Sequence, residues 1–156
     1  MVTQIDERLF LGDGLDARLL QSENPLNIRA VINVENDPDE PVDGINNIHV
    51  PMMDDGTVPA EAFDVALSAI AENLRSGPVL VHCAMGASRS VVVVALHLAL
   101  TEDISFDTAM QRVKKLRVQA DPAPETVDCG KRYLSQRNHQ EASPPLFTSP
   151  YRIGTY

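Results

Sequence analysis

One stretch, Val79 to Leu100, limits the fold more than any other part of the chain. It reads VLVH, then CAMGASRS, then VVVVALHLAL. The first piece has no polar alternation before its histidine, which suits a strand buried on both faces. The middle piece is made largely of small residues. The last is ambiguous alone: its run of valines favours a strand, whereas its length and Ala/Leu-rich second half favour a buried helix. The loop decides between them. In a loop of Ala, Gly and Ser, successive backbone N–H groups can turn inward and form a concave anion site, closed by the N-terminus of a helix. Strand, loop, helix is the expected order.

The rest of the chain repeats that alternation. Leu9 to Leu11 is a short apolar run ended by the turn residues Gly12, Asp13 and Gly14, and Leu15 to Gln21 suits a short helix. Ala30 to Val34 and Ile45 to Met52 read as strands, separated by an acidic, proline-containing loop from Glu35 to Gly44. Phe63, Leu67, Ile70 and Leu74 recur at helical spacing, with Pro59 near the start and Gly77 just past the end. Ser105 is an expected N-cap for an amphipathic helix that carries Phe106, Ala109, Met110, Val113 and Leu116 on one face. A last helix is expected from Pro124 to Arg137. Strands alternating with helices imply an α/β fold: a mostly parallel central sheet of about four to five strands, flanked by helices. Residues 1–137 are expected to form one domain, and residues 138–156, with little periodicity, an extended or disordered tail. In such sheets ligands bind at the carboxyl ends of the strands, which is where His82 to Ser90 fall.

Charge and cysteine usage remove several function classes. A net charge of −9 disfavours nucleic acid and anionic membrane surfaces as partners, since both are held by clustered Lys and Arg. No apolar run reaches the roughly 18 residues that would suggest a membrane span. The first residues lack the basic-then-apolar order of a secretory signal, so a cytoplasmic location is expected. The two cysteines, Cys83 and Cys129, make neither a disulfide scaffold nor a zinc site, because no Cys/His cluster has ligand spacing. No metal ligand set and no cofactor is expected.

The chemistry concentrates at His82-Cys83-Ala84-Met85-Gly86-Ala87-Ser88-Arg89-Ser90. A cysteine at a helix N-terminus near an arginine is favoured as thiolate, the nucleophilic form. Arg89 lies where a curled loop returns its planar fork over a bound phosphate, and that fork can grip two oxygens at once.

This segment resembles the signature of the protein tyrosine phosphatase superfamily, His-Cys-five residues-Arg-Ser/Thr. With Gly86 and Ser88-Arg89-Ser90 it is most similar to the dual-specificity branch. Leu9 to Asp13, Val31 to Val34, His49 to Asp55, Lys114 to Arg117 and Asp121-Pro122 resemble further parts of that branch, so the likeness runs from about residue 5 to residue 134. The resemblance implies a metal-independent phosphatase acting through a cysteinyl-phosphate. It implies that Cys83 is the nucleophile and that Arg89 binds phosphate together with the loop residues Ala84, Met85, Gly86, Ala87 and Ser88. Ser90 would hydrogen-bond the Cys83 sulfur, His82 would orient the loop, and Asp54 would be the general acid, with the adjacent Asp55 as the alternative. The implied substrate is a phosphorylated protein or peptide bearing phosphotyrosine or phosphoserine/threonine.

Other readings stay open at this point. Asp54-Asp55-Gly56 is also an ordinary turn, and Ser90 is also a fitting helix N-cap. Cys129 suits a plain helix position better than a redox partner, and His97 suits a core position. A phosphate-binding module without turnover, sulfur transfer or arsenate reduction, and a phosphatase for RNA, nucleotide or inositol phosphates are the alternative functions. The loop carries no lysine, unlike the lipid phosphatases of the superfamily it resembles, so the resemblance disfavours phosphoinositides.

Overall fold

The computed structural model describes residues 1–140. Its elements, in chain order, are β1 (Thr3–Gln4), β2 (Leu9–Gly12), α1 (Gly14–Leu19), β3 (Ala30–Asn33), β4 (Asn46–His49), α2 (Ala60–Leu74), β5 (Val79–His82), α3 (Arg89–Glu102), α4 (Phe106–Leu116) and α5 (Pro124–Gln140). They build a five-stranded sheet in the order β1-β2-β5-β3-β4, parallel except for the antiparallel β1–β2 pair. This is the α/β class expected, and VVVVALHLAL is helix.

β5 is the central strand, every residue of it buried. Its last residue, His82, pairs in register with Gly12 on one side and Asn33 on the other. Period-two alternation then divides its side chains between the faces. Val79, Val81 and Cys83 join the larger core with the buried residues of α2, α3 and α4, while Leu80 joins the smaller core with Phe10, Ala17, Val31 and Val42. By the same alternation His82 points to the Leu80 face, the side crossed by the acidic loop.

Several expected boundaries move. β4 is shorter than Ile45 to Met52. Val50 still donates to the Asn33 carbonyl, but Pro51 has no N–H and pairing ends there. β1 was invisible because two polar residues carry no alternation. In α4, Leu116 is 45% exposed, and the next residue, Arg117, takes the buried position at 1%. Arg117 lies four residues after Val113 and leaves helical geometry (φ −120°, ψ 101°), which swings its side chain inward. α5 runs past Arg137, so Asn138 to Gln140 are helical rather than tail. No helix breaker follows Arg137 before Pro144, and Arg137 is held to the Tyr133 hydroxyl and the Asp64 carboxylate. The remainder of the expected tail lies outside the described residues. No helix of the described residues is long and apolar enough to cross a membrane.

Candidate active site

At the end of β5 the chain enters the Cys83–Ser88 loop, where the carbonyls of Ala84, Gly86 and Ala87 are engaged on the outside. The Ala84 carbonyl accepts from the Gly14 N–H at the start of α1, and the Ala87 carbonyl accepts from the Asp121 N–H. The Gly86 carbonyl accepts from Arg117 Nε at 2.6 Å. No backbone N–H of residues 84–88 bonds to another described residue. Acceptors outward and donors unengaged is the polarity of an anion-binding nest. Gly86 makes the curl possible. Its φ of +64° is a left-handed conformation, and a Cβ there would lie 2.4 Å from the Gly12 carbonyl oxygen.

α3 closes the nest. Its N-cap is Ser88, not Ser90, and no side chain caps its first turn, so the positive end of the helix faces the loop. Ser88 is otherwise occupied: Oγ accepts from the Ala123 N–H at 2.8 Å and donates to Asp54 Oδ1 at 2.7 Å. Ser90 lies one step into the helix with Oγ 3.1 Å from Cys83 Sγ, both residues buried. Of the two readings of Ser90, the sulfur contact is the one found. Arg89 Nη1 donates to the Met52 carbonyl at 2.9 Å, and its Nε–H is buried with no partner among the described residues.

The two aspartates after Val50-Pro51-Met52-Met53 part company. Asp54 reaches the loop, its Oδ1 accepting from both Ser88 and the buried Thr126 hydroxyl. Asp55 turns back on its own segment, accepting from the Thr57 N–H and hydroxyl at the surface. On the other face, His82 Nδ1 lies 3.2 Å from the Cys83 carbonyl oxygen and Nε2 lies 2.6 Å from Asp39 Oδ2. The donor atoms of Glu35, Asp39 and His82 lie within 4.8 Å of one another, the only such metal-capable group among the described residues, and there Nε2 is taken by Asp39. All five residues expected to do chemistry, His82, Cys83, Arg89, Ser90 and Asp54, therefore meet at one loop. Cys129 sits buried in α5, and both cysteines are free. His97 lies in the core, where burial pushes its imidazole below the usual histidine range.

Arg117 was not among the expected site residues. Besides Gly86, its guanidinium binds the Met1 and Leu11 carbonyls and the Thr3 hydroxyl, so it locks the loop to β1 and β2. Burial lowers its ordinary pKa, and the Asp16 and Asp13 carboxylates and Cys83 oppose that. Its position four residues after Val113, on the stripe of Phe106 and Met110, was the available signal.

Comparison with known proteins agrees with this geometry. Residues 9–127 match the family model of the dual specificity phosphatase catalytic domain. Dual specificity protein phosphatase 1B of Arabidopsis thaliana is 33% identical over 127 residues, 79% of this chain and 75% of the relative. Dual specificity protein phosphatase 15 of Homo sapiens is 27% identical over 118 residues, 74% of this chain and 40% of the relative. The crystal structure of human DUSP28 superposes with a TM-score of 0.74 at 24% identity, covering 88% of this chain and 95% of that one, and so shares the fold. A cysteine loop of this build, inside a family match of this extent, makes the chain a member of the dual specificity phosphatases, the cysteine-based protein phosphatases.

Proposed function

We propose that the chain dephosphorylates phosphoproteins, at phosphotyrosine and at phosphoserine or phosphothreonine, by a two-step exchange through phospho-Cys83. Cys83 Sγ attacks phosphorus in line with the leaving oxygen. An S–P bond forms and the P–O bond to the substrate breaks. Asp54 gives its proton to the departing oxygen, then takes one from the water that attacks phosphorus in the second step. That step breaks the S–P bond, and the Ser90 hydroxyl donates to the leaving sulfur. The unengaged N–H groups of residues 84–88 and the Arg89 fork carry the charge of the equatorial oxygens throughout. Both donors to Asp54 meet Oδ1, which leaves Oδ2 to hold the travelling proton. The observation that carries the reading is the Cys83 Sγ to Ser90 Oγ contact beneath a loop whose Ala84, Gly86 and Ala87 carbonyls are bound while its N–H groups are not.

The surroundings favour protein phosphoesters over polyanions. Met85 in the loop and Met53 beside Asp54 are exposed, and the loop holds no lysine. An apolar rim suits an aromatic ring or a peptide, and a net charge of −9 slows polyanions by long-range repulsion. A nucleophilic thiol needs a reducing compartment, which supports the cytoplasm. Hydrolysis of a small aryl phosphate in excess EDTA tests the mechanism. The wild type is expected to be active and Cys83→Ser inactive; equal rates in the two proteins would overturn it. Phosphopeptides carrying tyrosine, serine or threonine phosphate then test the substrate class.

A further inference from the structure

Thr126, the third residue of α5, is fully buried, and its hydroxyl donates to Asp54 Oδ1 at 2.5 Å from 72 residues away. Among the described residues that hydroxyl has no other partner. Packing does not ask for it, because valine fills the same shape and brings no polar atom to satisfy. The hydroxyl serves the carboxylate.

The segment leading to Thr126 holds both halves of the site. The Asp121 N–H donates to the Ala87 carbonyl, and the Ala123 N–H donates to Ser88 Oγ. With a lone pair given to Ala123, Ser88 turns its single proton to Asp54 Oδ1. On the acid side, Gly56 lies against the first turn of α5, where a Cβ on it would come 3.2 Å from Glu125 Cβ. Arg89 holds the same loop from the other direction, through the Met52 carbonyl. Two O–H donors thus converge on one oxygen of Asp54. A proton on that oxygen would face both donors, so the acid form of Asp54 carries its proton on Oδ2. Without the Thr126 donor, the carboxyl can turn and present either oxygen.

We propose that Thr126 is a positioning residue for the phosphatase reaction. Its hydroxyl fixes which oxygen of Asp54 holds the proton and keeps the carboxyl turned for delivery to the leaving group. The inference rests on Asp54 being the general acid. Asp55, which bonds Thr57 instead, has no such tie to α5.

Thr126→Val keeps the shape and removes the donor, whereas Thr126→Ser keeps the donor. Both are compared with wild type on aryl phosphates of graded leaving group, by kcat/KM, which reports the first phosphoryl transfer. For the poorest leaving group Thr126→Val is expected to lose about 10-fold or more, part of the roughly 100- to 10,000-fold that a general acid supplies. The loss should shrink as the leaving group improves, and Thr126→Ser should recover most of it. Inhibition by inorganic phosphate should hold, since the nest and Arg89 are untouched. Added to Asp54→Asn, Thr126→Val should cost less than about twofold, because residues that act as a unit are not additive. Equal losses across the series, wild-type rates throughout, a full loss repeated on top of Asp54→Asn, or weakened phosphate inhibition would overturn the proposal. Proton NMR of the wild type gives a reading that needs no variant. A slowly exchanging Thr126 hydroxyl proton in contact with the Asp54 side chain is expected, and its absence would sink the idea. If Asp54→Asn itself shows no leaving-group dependence, the acid assignment has failed; a normal Asp54→Asn pattern beside a flat one for Thr126→Val removes this inference alone.

Discussion

Ser88 Oγ donates to Asp54 Oδ1 across 34 residues of sequence, and so ties the start of α3 to the loop that carries the acid. Asp55, one residue on, makes no such contact and bonds Thr57 instead. Asp54→Asn should therefore slow hydrolysis of esters with poor leaving groups by about 100-fold or more, and of good leaving groups much less. Asp55→Asn should stay near wild type. A series of aryl phosphates with graded leaving groups checks both; equal losses across the series, or a larger effect of Asp55→Asn, would reassign the acid.

Arg89 supplies a planar fork, with Nη1 on the Met52 carbonyl and Nε unpartnered. Arg89→Lys keeps the charge and loses the fork. Its kcat/KM should fall at least about 100-fold, the cost of losing one well-placed oxyanion donor. Inhibition by inorganic phosphate should weaken in parallel. Near-normal kinetics would exclude the clamp.

Gly86 and Gly44 both have positive φ, +64° and +79°, yet they differ in surroundings. A Cβ on Gly44 meets nothing within 4 Å, whereas one on Gly86 would lie 2.4 Å from the Gly12 oxygen and 2.5 Å from Arg117 Nη2. Gly44→Ala should cost about 1–2 kcal/mol of stability, the left-handed penalty alone, with activity kept. Gly86→Ala should lose more stability and nearly all activity. Denaturant melts beside kcat/KM distinguish the two.

Burial disfavours the charged form of His97, so its folded-state pKa lies below the ordinary 6.5. The unfolded chain then binds this proton before the folded one does, and stability falls as pH drops below about 6.5 toward the folded value. His97→Leu should flatten the stability curve there by up to about 1.4 kcal/mol per pH unit, the limit for one proton. Urea titrations at a series of pH values measure it. An unchanged slope would mean that His97 is protonated equally in both states.

Much of this architecture was legible in the residues. VLVH before a small-residue loop marked the central strand, and the nest's need for a helix dipole correctly assigned the valine run to α3. Cys83, Arg89 and Ser90 could be found because their spacing lies within one continuous stretch, the loop and the first turn of α3. Asp39, Thr126 and Arg117 could not be found that way. They reach the site from 43, 72 and 31 residues away from the groups they bind, and tertiary packing alone brings them there. Arg117 is buried although arginine is mostly exposed in folded proteins, and only the stripe of Phe106, Met110 and Val113 pointed inward.

The most direct measurement is an acid quench of Asp54→Asn during turnover of an aryl phosphate, followed by mass spectrometry of the peptide that holds Cys83. The predicted result is a phosphoryl group on Cys83 that disappears in Cys83→Ser. Turnover with Cys83 unmodified, or with the phosphoryl group on another residue, would contradict the mechanism.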